Sequence, residues 1–189
     1  MVQPQFSQTN FATTSLNTQN PDGLEQFLQF RLVPDTTLLL PVTQLTEVIT
    51  IPLGQIVPIP DMPSWVMGVY NWRGEILWIM DLGQLLGLTP WYEQDQVKAI
   101  YRTIVLHSGT VSQKNPQAQG QHLGAVVSAV DDIEWCPSDE IRSPLGSTIS
   151  SNLARFLRGY WLPPQSEMWA VLDPEAILAA MPQPSSGLK

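Results

Sequence analysis

The sequence predicts a mainly β protein built as small barrels, with few and short helices. Three observations carry this expectation. Apolar runs of four to eight residues recur along the chain, rich in β-branched and aromatic types and bounded by Pro, Gly, Asn or Asp. Their close spacing suits small barrels better than a parallel α/β sheet. One strand-to-helix unit also occurs twice: EILWIMDLGQLL at 75–86 aligns without a gap to EMWAVLDPEAIL at 167–178, an offset of 92 residues. The copies share a leading Glu, an apolar strand, an Asp cap and an apolar helical face. Gly68 and Gly159 precede them nearly in register, so two related subdomains are expected.

Taken in order, residues 1–24 are rich in Gln, Asn, Thr and Ser and read as a disordered polar tail. A single domain over 25–181 follows, and 182–189 read as a second disordered tail. QFLQFRLV (26–33) is a strand ending at a Pro-Asp turn, followed by TLLLPV (37–42) and LTEVITI (45–51). VMGVY and EILWIM flank a tight turn. YRTIVL and LGAVVSAV are separated by the polar stretch GTVSQKNPQAQGQ (109–121), a long hairpin loop. Asp81 caps a short helix in which Leu82, Leu85 and Leu86 share a face and Gly87 is the stop. Asp173 caps DPEAILAAMP, where Pro174 takes the first helical position and Glu175 suits the positive end. ISSNLARFL (149–157) is a third helix candidate.

A chain of 189 residues can bury a sizeable core as one compact domain or two small ones sharing an interior. Nine Lys plus Arg against seventeen Asp plus Glu leave a net charge of −8, with no basic cluster. That argues against nucleic acid and against an anionic membrane surface as partners. Cys136 is the only cysteine, so neither an internal disulfide nor a thiolate cage is available. The start MVQPQFSQTN lacks the features of a signal peptide, and no run approaches the roughly 20 apolar residues of a membrane span. A cytoplasmic protein without direct membrane insertion is expected.

Catalytic signals are thin. His107 and His122 end and begin apolar runs without a second ligand at metal spacing, and read as strand-end histidines. Cys136 reads as a small apolar filler. Asp131, Asp132 and Glu134 form an acidic knot, explained most simply as a solvated strand end. An enzyme would need that knot to converge with His107 or His122 in one cleft. No phosphate loop, nucleophile elbow or paired-histidine zinc motif occurs, so no catalytic, cofactor or metal residue is nominated. A small-ligand carrier is a further alternative, since a closed barrel can hold one ligand.

The seven tryptophans say more. Trp78 and Trp169 lie within strands and suit core packing, while Trp65, Trp91 and Trp161 lie at element ends. Trp72 belongs to the turn Asn71-Trp72-Arg73-Gly74. Asn suits the first and Gly the last position of a type I turn, which places Trp72 and Arg73 at the centre with side chains outward. Two readings stay open: Trp72 folds back over a neighbouring strand beside a solvated Arg73, or the pair forms an anchor for another protein. Trp and Arg are the types most enriched at interface hot spots. On an exposed turn, Arg73→Glu is expected to change stability by no more than about 0.5 kcal/mol.

IVPIPDMPSWVMGVYNWRGEILWIMDLGQLLGL (56–88) resembles the signature of the CheW-like family of chemotaxis adaptors: an apolar pair, Gly-Val, an Asn-Leu-Arg-Gly turn, an apolar strand, then Asp-Leu and a leucine-rich half-helix. LPVTQLTEVI (40–49) and LGAVVSAVDDIEWCPSDEI (123–141) resemble flanking family segments, and the match covers roughly 26–180. The resemblance implies two five-stranded SH3-like β-barrel subdomains on a shared core. It also implies an adaptor without catalysis or cofactor. Such a protein couples the regulatory domain of a CheA-like histidine kinase to the helical tip of a chemoreceptor-type protein, recruited to arrays at the inner face of the membrane. The family pattern carries receptor binding onto Leu45, Glu47, Asn71, Arg73 and Gly74, with Trp72 at the position that is usually Leu. Trp72, Trp78, the polar tail and the Gln-rich loop depart from the pattern and suit a specialised array, such as one steering twitching or phototaxis. YWLPPQS (160–166) replaces the turn in the second copy, so the receptor residues carry over to the first copy alone.

Overall fold

The computed structural model describes residues 23–94, 98–108, 122–143, 150–164 and 167–182. The polar stretch at 109–121 and almost all of both terminal tails lie outside the described residues. Among the described residues, ten strands and three short α-helices follow in order: β1 (Leu24–Leu32), β2 (Thr36–Pro41), β3 (Leu45–Pro52), β4 (Val66–Trp72), β5 (Glu75–Asp81), α1 (Leu82–Leu85), β6 (Ile100–His107), β7 (His122–Val127), β8 (Ala129–Pro137), α2 (Ser151–Ala154), β9 (Leu157–Trp161), β10 (Trp169–Leu172) and α3 (Pro174–Ala179). β1 therefore begins at Leu24, inside the stretch expected to be tail.

The strands form two five-stranded sheets, ordered β8-β1-β2-β10-β9 and β3-β6-β7-β5-β4. The sheets interleave the sequence. β3 to β5 join β6 and β7, while β8 to β10 return to β1 and β2. Two connections are responsible, the short step from β2 to β3 and the step from β7 to β8. LGAVVSAV reads as one strand but divides at Ser128: its first part pairs with β6 and its second with β1. The Ser128 amide donates to the Arg31 carbonyl at 3.0 Å, fixing the bend. The helix expected over 149–157 is confined to α2, because Phe156 is buried and Leu157 already pairs with β10. Burial of Phe156 and pairing of Leu157 override a weak local helix preference here.

The repeat is structural. Gly68 lies opposite Ile79 and Gly159 opposite Val171, and those partners are 92 residues apart. Each glycine lets a second chain segment cross closely. A Cβ on Gly68 would collide with the Val57 carbonyl oxygen, and one on Gly159 with that of Arg142. The neighbouring bridges Val57–Val69 and Arg142–Tyr160 close each sheet towards a barrel. Asp81 and Asp173 cap α1 and α3 as the repeat implies; Asp81 accepts from the Gln84 amide at 3.2 Å, Asp173 from the Glu175 amide at 3.0 Å.

Strand alternation sorts the core into three parts. On β5, Leu77 and Ile79 face the interior of the second barrel with Ile51, Tyr101 and Val105. Met80 faces the opposite way, into a larger core between the barrels that includes Phe30, Leu38, Leu82, Leu86, Ile104 and Leu172. Trp78 packs against that shared core, half-buried. The first barrel is filled by Phe27, Leu39, Cys136, Trp161 and Val171, with Trp169 packed against them. Each full burial is worth about 1.5–3 kcal/mol. The Cys136 thiol is pushed up to about 12, first by burial and then by Glu140 and Glu25, as an inert core filler would be.

Candidate partner-binding site

The β4–β5 hairpin turns one residue later than its sequence implies. Arg73 (φ 54°) and Gly74 (φ 86°) both have positive φ, the signature of a primed two-residue loop whose twist matches the flanking strands. Trp72 is therefore the last residue of β4, paired with Glu75, and not a turn-centre residue. A shift of one residue moves a side chain to the opposite face. Trp72 points inward and is buried at the end of the second barrel, 9% exposed, against the expectation that it projects outward. Asn71 stays exposed, its Oδ1 accepting from the Gly74 amide at 3.0 Å to hold the loop.

Trp72 and Arg73 converge on Glu47 of β3. Trp72 Nε1 donates to Glu47 Oε1 at 2.5 Å, and Arg73 Nη2 donates to Oε2 at 2.8 Å. The Arg73 guanidinium also lies 5.2 Å from the centre of the Trp72 ring. The Glu47 side chain is 11% exposed and that of Arg73 65%, so a nearly buried carboxylate anchors a largely exposed cation. These bonds clasp β3 to the hairpin by side chains. Burying a carboxylate is tolerable because both of its oxygens have donors.

A bulge on β3 decides which residues join the clasp. Leu45 pairs with Leu106, but Glu47 pairs with Val105, so Thr46 is the extra residue. The bulge reverses the alternation. Glu47 turns to the interior of the second barrel, whereas Leu45 packs against the core between the barrels. Of the nominated residues, Glu47, Asn71, Trp72, Arg73 and Gly74 are brought together, and Leu45 stands apart from them.

Two histidines, read from the sequence as strand-end residues or as partners of the acidic knot in an enzyme, border the clasp. The His122 ring lies 5.0 Å from that of Trp72 and 6.4 Å from that of His107. Thr46 Oγ1 is 3.2 Å from His107 Nδ1. Burial, then the neighbouring His122, lower the His107 pKa, with Glu175 opposing. Spatial grouping of residues 46, 47, 72, 107 and 122 depends on strand register, which spacing along the chain does not reveal. The acidic knot lies elsewhere: β8 belongs to the first sheet, where Asp131 is held by Arg31 at 2.9 Å. A cavity of ≈ 10 Å³ beside Asp81, Thr89 and Tyr101 has room for about one water. Among the described residues, no helix is long and apolar enough to cross a membrane.

The profile of the family described as "CheW-like domain" matches residues 26–181. Among solved structures, the chain is similar to the scaffolding protein TtCheW from Thermoanaerobacter tengcongensis. The identity is 21%, the TM-score is 0.62, and the likeness covers 79% of this chain and 88% of that one. At that identity, the likeness speaks for the fold. No curated protein matches the chain. The match over most of its length, on two interleaved five-stranded sheets, places this chain in the CheW-like domain family.

Proposed function

We propose that this protein is a non-catalytic adaptor coupling a CheA-like histidine kinase to a chemoreceptor-type protein in a chemotaxis-like pathway that controls motility. The observation that carries the reading is the clasp: a buried Glu47 holds an exposed Arg73 at a hairpin tip in one orientation. A pre-oriented Arg at a rim sets register and partner choice at low entropic cost. Family membership supports the scaffold class. The filled barrel interiors favour it over a ligand carrier, which needs a larger void.

In this reading, Asn71, Arg73 and Gly74 meet the receptor directly. Glu47 and Trp72 position Arg73, and Leu45 supports β3 from the core between the barrels. The adaptor acts in the cytoplasm, recruited to arrays at the inner face of the membrane. Kinase control then requires only that docking differ between two receptor states. The test is calorimetric titration of the full chain with the regulatory domain of a CheA-like kinase from the same genome. Micromolar or tighter binding is expected. Absence of binding to every such kinase in that genome would return the chain to the carrier alternative.

A further inference from the structure

The chain contains two histidines, and the fold sets them side by side. His107 closes β6, His122 opens β7, and they are directly opposite in the antiparallel register. Opposed residues hold their Cβ atoms about 4.5–5.5 Å apart on one face of the pair. The rings are tilted by 45° with centres 6.4 Å apart, and both residues are half-buried. A ligating nitrogen lies about 2.0–2.1 Å from a zinc-type ion, which puts each ring centre roughly 3.2 Å from that ion. At a tetrahedral angle two such rings have their centres about 5.2 Å apart, so the rings must draw together by roughly 1 Å from the observed 6.4 Å for one ion to take a nitrogen from each.

The surroundings prepare His107 as a ligand. Thr46 Oγ1 lies 3.2 Å from Nδ1. In the tautomer that donates from Nδ1 to Thr46 Oγ1 the lone pair is on Nε2, and a contact of that kind orients imidazoles at metal sites. The neutral imidazole is the form that binds metal. The field of Glu175, whose Oε1 accepts from Gln44 Nε2 at 2.7 Å, reaches His107 and favours a nearby cation.

We propose that His107 and His122 form a two-imidazole clip for a borderline divalent transition-metal ion of the zinc, nickel or copper class. Imidazole suits these ions and serves calcium or magnesium poorly. Among the described residues, no three His, Cys, Asp or Glu side chains gather as a metal group. With two ligands from the described residues the remaining positions are open to water, and binding is weaker than in a closed structural site. The clip adjoins the clasp through the Trp72–His122 ring contact. It does not depend on the adaptor reading.

The test is titration of the untagged full chain with ZnCl₂ at pH 7.5, by calorimetry and by NMR of the two histidine rings. One ion per chain is expected, with both rings shifting together. His107→Gln and His122→Gln should each weaken binding by roughly tenfold or more. The ring shifts keep the test decisive even if a variant fails to fold. No one-site binding at ion concentrations up to about 1 mM, shifts confined to one ring or neither, or unchanged affinity in both variants would overturn the proposal.

Discussion

Glu47 puts a carboxylate at the nearly buried end of a barrel, where an unpaired charge costs several kcal/mol. Its two donors differ in character. Trp72 Nε1 is rigid and buried, while Arg73 Nη2 sits on a largely exposed side chain. Trp72→Phe keeps most of the ring but leaves Glu47 Oε1 without its donor, so a loss of about 1–3 kcal/mol is expected in urea unfolding. Arg73→Gln should cost at most about 1 kcal/mol, because much of that ion pair is screened by solvent. Arg73→Glu is no longer expected to be neutral. It sets a second carboxylate beside Glu47, and Arg73→Gln is the cleaner probe of partner contacts. His107 supplies a pH dependence. Its folded pKa is lowered mainly by burial, so the folded state binds the proton less tightly than the unfolded chain. Its contribution is fully present above the unfolded value near 6.5 and is lost as pH falls below it towards the folded pKa. Urea midpoints should therefore fall between pH 7.5 and 5.5, and His107→Gln should shrink that fall.

The β4–β5 hairpin explains both what the sequence discloses and what it hides. Its existence is legible, since two apolar runs flank an Asn and a Gly. Its register is not, because Asn-Trp-Arg-Gly fits a type I turn as a peptide. The twist of paired strands favours primed loops, however, and these put Gly at the second central position. That choice moves Trp72 from rim to core. The Asp caps and the repeat were legible because they are local. The division of LGAVVSAV at Ser128 was not, since nothing in an apolar run says which sheet each half will join. The paired glycines bear on closure of the two barrels. Gly68→Ala and Gly159→Ala each force a Cβ against a carbonyl of the crossing segment, and a loss of about 1–3 kcal/mol is expected for each in thermal unfolding.

For the whole molecule, interleaving has a direct consequence. Neither barrel can be made from one half of the sequence, because each takes strands from both. A fragment of residues 23–94 carries β1 to β5, split between two incomplete sheets, and should lack the near-ultraviolet signal of packed aromatics. The full chain should unfold in one transition through the core between the barrels, as small cooperative domains do. Leu82→Ala in that core should cost about 2–5 kcal/mol without separating the two barrels into two steps. An architecture that fixes the hairpin against β3 also fixes the direction in which Arg73 points. The claim that this direction serves a receptor is tested most directly by titrating one preparation, as wild type and Arg73→Gln, with two partners: a receptor hairpin-tip fragment and the kinase regulatory domain, both from the same genome. The expected result is receptor binding weakened by roughly tenfold and kinase binding unchanged. Receptor binding equal in the two proteins would contradict the assignment of Arg73 to the receptor.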